Sequence, residues 1–391
     1  VCSSDLDYAL EMFQFLIENH RGCVFQFEIT ADIMRPEVLD YLAEHAPPGI
    51  FRFEIGVQST NDPTNELVKR RQNFAKLTRT VMKVKNSRKI DQHLDLIAGL
   101  PQEDYNTFRK TFNDVFALGP EELQLGFLKM LRGTGLRLDA EKYNYTYMDV
   151  APYEMLSNDV LSFEDIVRLK RLEDVLEKYW NAHRMDRTLK FLMEQEFPSA
   201  FDFFQEFGDY WEGQGWQKIG HQLEDLFMRL HSFLEQRDTK NMEIILGLMK
   251  LDYFLNHKYK PRKIWWEFGL EKDEWGSYMK LAVEQPEKLQ AARGDIADIE
   301  SIGRLEHSGH GHGLEKGSES TPAFAELRLG ERELQKHAVL EILPFDLSAV
   351  LAGDAAVVTR GRTLVLVVYQ QQNNQKPLYY TMKLEQEVAA I

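Results

Sequence analysis

The chain has 391 residues, 43% of them hydrophobic and 12% aromatic, and a formal net charge of −15. Length and apolar content support two or three domains with sizeable cores and exclude a disordered chain. The acidic balance argues against a general nucleic-acid binder, which needs surplus Lys and Arg to neutralise phosphates.

No apolar run approaches the ~20 residues of a membrane helix, and no signal-peptide pattern opens the chain. The two cysteines, Cys2 and Cys23, make no disulfide framework, so a cytoplasmic setting is expected. The opening Val1-Cys2-Ser3-Ser4-Asp5-Leu6 lacks an initiator Met and reads as a translated sequencing adapter. Residues 1–6 are therefore set aside, with the reading frame expected to begin inside a gene.

Residues 7–135 alternate between helical and strand patterns. Tyr8, Phe13, Phe15 and Leu16 close a helix, and Val24–Ile29 is a short apolar strand. A helix over Pro36–His45 carries Pro in its first turn, and Phe51–Val57 is the second strand. Asp62 is expected to cap a helix with Pro63 at its first position. Phe74, Leu77, Val81 and Val84 keep helical spacing. His93–Ala98 is the third strand, the stripe from Tyr105 to Phe116 is a helix stopped by Gly119-Pro120, and Leu123–Leu131 is the fourth strand. Strands and helices alternating at this pitch predict an α/β fold of parallel strands with crossover helices. Four such strands amount to half a barrel or one side of an open sheet, and its unpaired edges fit truncation.

Residues 136–300 read as a helical accessory domain, dense in aromatics from Tyr179 to Trp216. Residues 301–323 read as a Gly/Ser/His/Glu linker. Residues 324–391 form a small α+β tail, with a strand at Ala338–Leu343 and a hairpin of Thr363–Tyr369 and Leu378–Leu384.

Polar residues gather where the predicted strands end: Glu28, then Glu54 and Gln58, then Asp95. A carboxylate within an apolar strand is costly unless it binds something, and ligand sites of α/β folds lie at the strands' carboxyl ends. A carboxylate satisfied by loop amides or by an arginine is the plainer alternative.

Four runs in order carry a resemblance: Glu54-Ile55-Gly56-Val57-Gln58-Ser59; Arg70-Arg71-Gln72; Asp95-Leu96-Ile97-Ala98-Gly99-Leu100-Pro101-Gln102-Glu103; and Leu128-Lys129-Met130-Leu131-Arg132-Gly133-Thr134. Over about residues 7–135 the chain resembles the radical S-adenosylmethionine (SAM) superfamily, in the branch shared by oxygen-independent coproporphyrinogen oxidases and cobalamin-dependent enzymes. Its later part, through Tyr259-Lys260-Pro261 and Trp265-Trp266-Glu267, is similar to the uncharacterised C-terminal domain of cobalamin-binding-domain radical SAM proteins.

The resemblance implies a partial (β/α) barrel of its last four strands. It also implies that Glu28, Gln58, Arg70 and Asp95 hold SAM. Arg70 suits the methionyl carboxylate, with Arg71 an alternative at nearly the same spacing. Asp95 and Gln58 suit ribose hydroxyls or neighbouring polar groups, and Glu28 the ammonium or a hydroxyl. Gly99 permits close backbone approach near the adenine. Glu54, opposite in face to Ile55, is expected to back these contacts.

The resemblance further implies a [4Fe-4S] cluster on three cysteines in a C-x3-C-x2-C loop, an electron donor such as flavodoxin or ferredoxin, and a cobalamin domain. The chain has no such cysteine triplet. The expectation is that the fragment begins after the second barrel strand and does not turn over alone, with Cys23 a core residue. The rival readings are a non-catalytic SAM-binding or scaffold protein on a degenerate barrel, and an α/β enzyme for a phosphorylated ligand, which would need a Gly-rich loop not found here.

Weaker signals read plainly. Lys69, Arg70 and Arg71, and Lys258, Lys260, Arg262 and Lys263, are solvated basic faces. His307, His310 and His312 belong to a flexible linker rather than a metal site. The stretch Phe191–Trp216 is core packing rather than a pocket. Asp202, Glu206, Asp209 and Glu212 form a solvated helix face rather than a di-metal site.

Overall fold

A computed structural model describes residues 6–267, 270–291, 324–327, 329–351, 358–369 and 376–384. The chain divides into two compact units. The described residues of the first run to Asn181 and then over Ser199–Gln217; those of the second cover Ala182–Pro198 and the rest from Lys218 onward.

In the first unit β1 (Phe25–Ile29), β2 (Phe51–Gln58), β3 (Ile90–Ala98) and β4 (Glu122–Phe127) form one sheet in the order β1-β2-β3-β4. Every pairing is parallel, as the alternation of strands and helices requires. The helices α1 (Leu6–Asn19), α2 (Pro36–His45), α3 (Asp62–Leu67), α4 (Phe74–Ser87) and α5 (Tyr105–Phe116) precede and connect the strands. Side-chain periodicity of two sorts each strand into faces. On one face Phe51, Phe53, Ile55, Val57, Leu94, Leu96, Leu123 and Leu125 are buried. Leu77, Val81 and Val84 of α4, and Phe108, Phe112 and Val115 of α5, are buried at helical spacing, and both helices contact β3. The ring of Phe13 on α1 meets Phe27 and Phe51 at 5.3 and 5.4 Å. Burying each such side chain contributes roughly 1.5–3 kcal/mol.

Four local expectations change. Asn61, not Asp62, is the N-cap of α3; Asp62 is its first residue and Pro63 its second, one position later than expected but still in the first turn. β3 begins at Ile90, three residues earlier than its apolar pattern. Asp91 and Gln92 are buried there; the Gln92 side-chain amide donates to the Val81 carbonyl and its backbone amide to the Glu121 carboxylate, while its Oε1 has no partner among the described residues. β4 stops at Phe127, because Lys129 bridges to Glu154 and the Met130 amide donates to the Tyr153 carbonyl. Cys23 is exposed, not in the core.

After a single turn, α6 (Gly135–Leu138), the short strands β5 (Thr146–Tyr147) and β6 (Met155–Ser157) pair antiparallel, a strand ladder where helix was expected. α7 (Phe163–Val175) begins at a capping box of Ser162 and Asp165. It lies against the helix Ala200–Gly213, where a Cβ on Gly208 would sit 2.5 Å from the Arg171 carbonyl oxygen. Phe201, Phe203, Phe204, Phe207 and Trp211 are buried, so this aromatic stretch is core. The acidic face of the same helix is paired rather than merely solvated. Asp202 accepts from Arg109 at 2.6 Å, and Arg171 lies 3.1 and 3.3 Å from Asp209 and Glu212.

In the second unit the antiparallel sheet runs β7-β10-β9-β8, from β7 (Gln290–Ala291), β8 (Ala338–Phe345), β9 (Arg360–Val368) and β10 (Leu378–Leu384). The hairpin of β9 and β10 was expected; its turn residues lie outside the described residues, as do His307, His310, His312 and the linker. Leu334, Leu340, Leu364, Leu366, Met279 and Tyr380 share its core. Among the helices, Asp252 of Met242–Asn256 accepts from Arg187 at 3.2 Å and from the Thr188 amide and hydroxyl at 3.0 and 2.8 Å. Burial pushes its carboxyl up to about 6 against the pull of Arg187 and Thr188.

Candidate functional site

The second face of the parallel sheet is polar. Register sets Glu28, Glu54, His93 and Glu122 in one row, and Gly56, Asp95 and Gln124 in the next. Toward the strands' amino ends the charges are paired. Arg52 donates to Glu122 at 2.5 Å and lies 2.9 Å from His93 Nδ1, which is 3.2 Å from the other Glu122 oxygen. Burial pushes the Glu122 carboxyl up, but His93 and Arg52 outweigh it and hold it below the usual range.

Toward the carboxyl ends the charges are not balanced. Asp95 lies beside Glu54 and Glu28, and burial first, then the two carboxylates, push it up to about 7. Its Oδ1 is buried without a hydrogen-bond partner among the described residues, and so is Oε1 of Gln58. Asn65 Oδ1, Gln92 Oε1 and Glu103 Oε2 also lack donors among the described residues, and what sets Asp95 apart is the pair of carboxylates beside it. Glu54 accepts from Gln26 at 2.6 Å. Gln58 follows an irregularity in the β2–β3 register and has a φ of 69°, in the left-handed region, a conformation a non-glycine residue seldom adopts. Neither the irregularity nor the orphaned oxygens are visible in a one-dimensional pattern.

Arg70 is half-buried and Arg71 exposed. Arg70 donates through Nη2 to the Gly56 carbonyl and through Nε to Gln72 at 2.8 Å. Burial lowers the guanidinium's affinity for its proton and Asp32 partly restores it. A Cβ on Gly56 would lie 2.6 Å from Gln58 Nε2 and 3.7 Å from Arg70 Nη2, so glycine leaves the room in which these groups meet.

The loops beyond β2 and β3 are stitched together by residues that strand-end reasoning assigned no role. Ser59 and Thr111 both donate to Glu103 at 2.6 Å, and the Thr64 hydroxyl donates to the Pro101 carbonyl at 2.8 Å. Gly99 has a φ of 96°, and a Cβ there would collide with Met155 Sδ at 1.8 Å. Its carbonyl accepts from the Tyr145 hydroxyl at 2.9 Å and from Asn158 at 3.4 Å. Tyr145, Met155 and Asn158 lie 46 to 59 positions along the chain from Gly99 and carry no local signal.

The structure thus brings Glu28, Glu54, Gln58, Arg70 and Asp95 to one end of one sheet face, with Gly99 in the turn after β3. Among the described residues no group of three or more His, Cys, Asp or Glu has metal-binding geometry.

Residues 3–115 match the model of the Radical SAM superfamily. The matched segment contains all six of these positions and the first three strands. Residues 141–305 match a second model, described as a protein of unknown function, DUF4080. An uncharacterised protein of Bacillus subtilis, YtqA, is 28% identical over 131 residues, which are 33% of this chain and 40% of that protein. The chain thus spans about two-fifths of that curated relative's length. The fold is similar to coproporphyrinogen III oxidase of Escherichia coli, a radical SAM enzyme, with 20% identity and a TM-score of 0.32 over 43% of this chain and 37% of that one. It is also similar to the archaeal Elp3 of Methanocaldococcus infernus, with 17% identity and a TM-score of 0.31 over 41% and 36%. No helix among the described residues is long and apolar enough to cross a membrane.

Proposed function

We propose that the carboxyl end of the parallel sheet binds S-adenosylmethionine, and that the chain supplies the SAM-gripping part of a radical SAM enzyme. One observation carries the reading. Within the segment that matches the Radical SAM model, two buried acceptors, Asp95 Oδ1 and Gln58 Oε1, lack donors beside the carboxylates of Glu28 and Glu54. A cationic, hydroxyl-bearing ligand supplies what they lack. Asp95 and Gln58 accept from ribose hydroxyls, and Glu28 from the ammonium or a hydroxyl. Glu54, steadied by Gln26, holds the negative potential behind them. Arg70, aimed by Gly56 and Gln72, takes the methionyl carboxylate. The Gly99 turn lets the backbone approach the adenine.

The Radical SAM family implies a [4Fe-4S] cluster as well as SAM. Three cluster thiolates are not found in these 391 residues, which hold two cysteines, and Cys23 is exposed. The residues present do not fit that group, and no step is assigned through it. Reductive SAM cleavage, cobalamin-dependent methyl transfer, a flavodoxin or ferredoxin donor and a cytoplasmic setting belong to this reading of the whole protein. The alternative reading is a non-catalytic SAM-binding or scaffold protein on a degenerate barrel.

Calorimetric titration of the full chain with SAM tests the site. Arg70→Ala weakens binding by more than about 1 kcal/mol, the worth of a charge-assisted hydrogen bond. Unchanged affinity, or no binding to the parent chain, would sink the assignment.

A further inference from the structure

The second unit holds a cavity of about 300 Å³ lined by Met228, His231, Leu246, Trp265, Trp266 and Glu267, among others. Met228 and His231 lie three apart on the helix Leu223–Gln236 and so share one face. Trp265, Trp266 and Glu267 follow the helix Met242–Asn256.

The two indoles stand 5.3 Å apart at 84° and form a corner. Trp266 is fixed from behind. Its rings meet Tyr253 and Phe254 edge-on at 5.4 and 5.3 Å, and its Nε1 donates to Glu341 at 3.2 Å. Glu341 is paired in turn with Lys250 at 3.2 Å. Trp265 is held by the His231 ring at 5.1 Å. A flat ligand stacked on one indole would run into the other, whereas a compact, rounded group touches both. The polar lining also selects a sign of charge. Glu267 is exposed and the lining includes no Lys or Arg; Lys250, whose ammonium lies 5.6 Å from the Trp266 ring centre, is paired with Glu341, and burial lowers the pKa of His231 against the pull of Glu235. Perpendicular electron-rich rings, a thioether and a carboxylate suit a soft, weakly hydrated cation.

We propose that this cavity binds a small organic cation with a methylated ammonium, seated in the Trp265–Trp266 corner with Glu267 as counter-ion. The proposal is independent of SAM binding in the first unit, and SAM titration does not bear on it.

Choline and its neutral isostere 3,3-dimethyl-1-butanol distinguish charge from shape. Calorimetric titration of the full chain is expected to give saturable choline binding, with the isostere at least about tenfold weaker. Trp265→Leu, which keeps an apolar side chain, removes choline binding. Glu267→Gln, an exposed change that leaves packing intact, weakens it several-fold and flattens its dependence on salt. Equal binding of the isostere, tighter binding of a flat probe such as indole, or no saturable choline binding by the folded parent chain each overturns the proposal.

Discussion

Replacing Asp95 with asparagine tests the electrostatics of the sheet face without reference to any ligand. Asparagine keeps the shape and removes the charge that Glu54, Glu28 and burial oppose. The folded carboxyl titrates at about 7 against an ordinary 3.8, a difference of roughly 4 kcal/mol at 1.36 kcal/mol per unit. The group is part-exposed, so solvent screening reduces the usable effect to about 1–2 kcal/mol. The sign follows from proton binding. Between those two values the folded state holds more proton than the unfolded one, so stability falls as pH rises through the window. The replacement amide does not titrate and loses nothing there. D95N is therefore expected to be more stable than the parent chain by about 1–2 kcal/mol near pH 8 and nearly equal to it near pH 4. Urea unfolding at the two pH values, followed by circular dichroism, reads the difference. A variant less stable at the higher pH, or an offset that does not change with pH, would refute the reasoning.

Three further outcomes are expected. SAM binding draws Asp95 toward its ionised form, so below about pH 7 it releases protons, and affinity rises from about pH 6 to 8; calorimetry in buffers of different ionisation heat counts them, and a count of zero contradicts it. Arg187→Met leaves Asp252 buried with only Thr188 as partner and costs about 3–5 kcal/mol in urea unfolding. Gly208→Ala drives a methyl into the backbone of α7 and costs about 1–3 kcal/mol, where a neutral result would show that the two helices separate freely.

The parallel sheet was legible because period-two alternation in β2 and helical stripes in α4 and α5 survive in one dimension. The misread ends have physical causes. Asp91 and Gln92 look like loop residues until the Val81 carbonyl and the Glu121 carboxylate accept from the two amide groups of Gln92. Lys129 looks like strand until Glu154, 25 positions on, takes it out of the sheet. Strand-end reasoning located Glu28, Glu54, Gln58 and Asp95, since those polar side chains interrupt apolar runs. It passed over Tyr145, Met155 and Asn158, whose relation to Gly99 depends on a return of the chain that no spacing announces.

That return bears on how this protein can be taken apart. Gly99 falls in the segment that matches one family model, whereas Tyr145, Met155 and Asn158 fall in the segment that matches the other. The turn after β3 is thus shaped by one module and braced by the next. A chimaera joined between residues 115 and 141 would inherit a foreign brace unless the incoming partner brought a hydroxyl and a side chain shaped like Met155 to the same place. A graft that keeps this turn intact must carry the chain at least through Asn158.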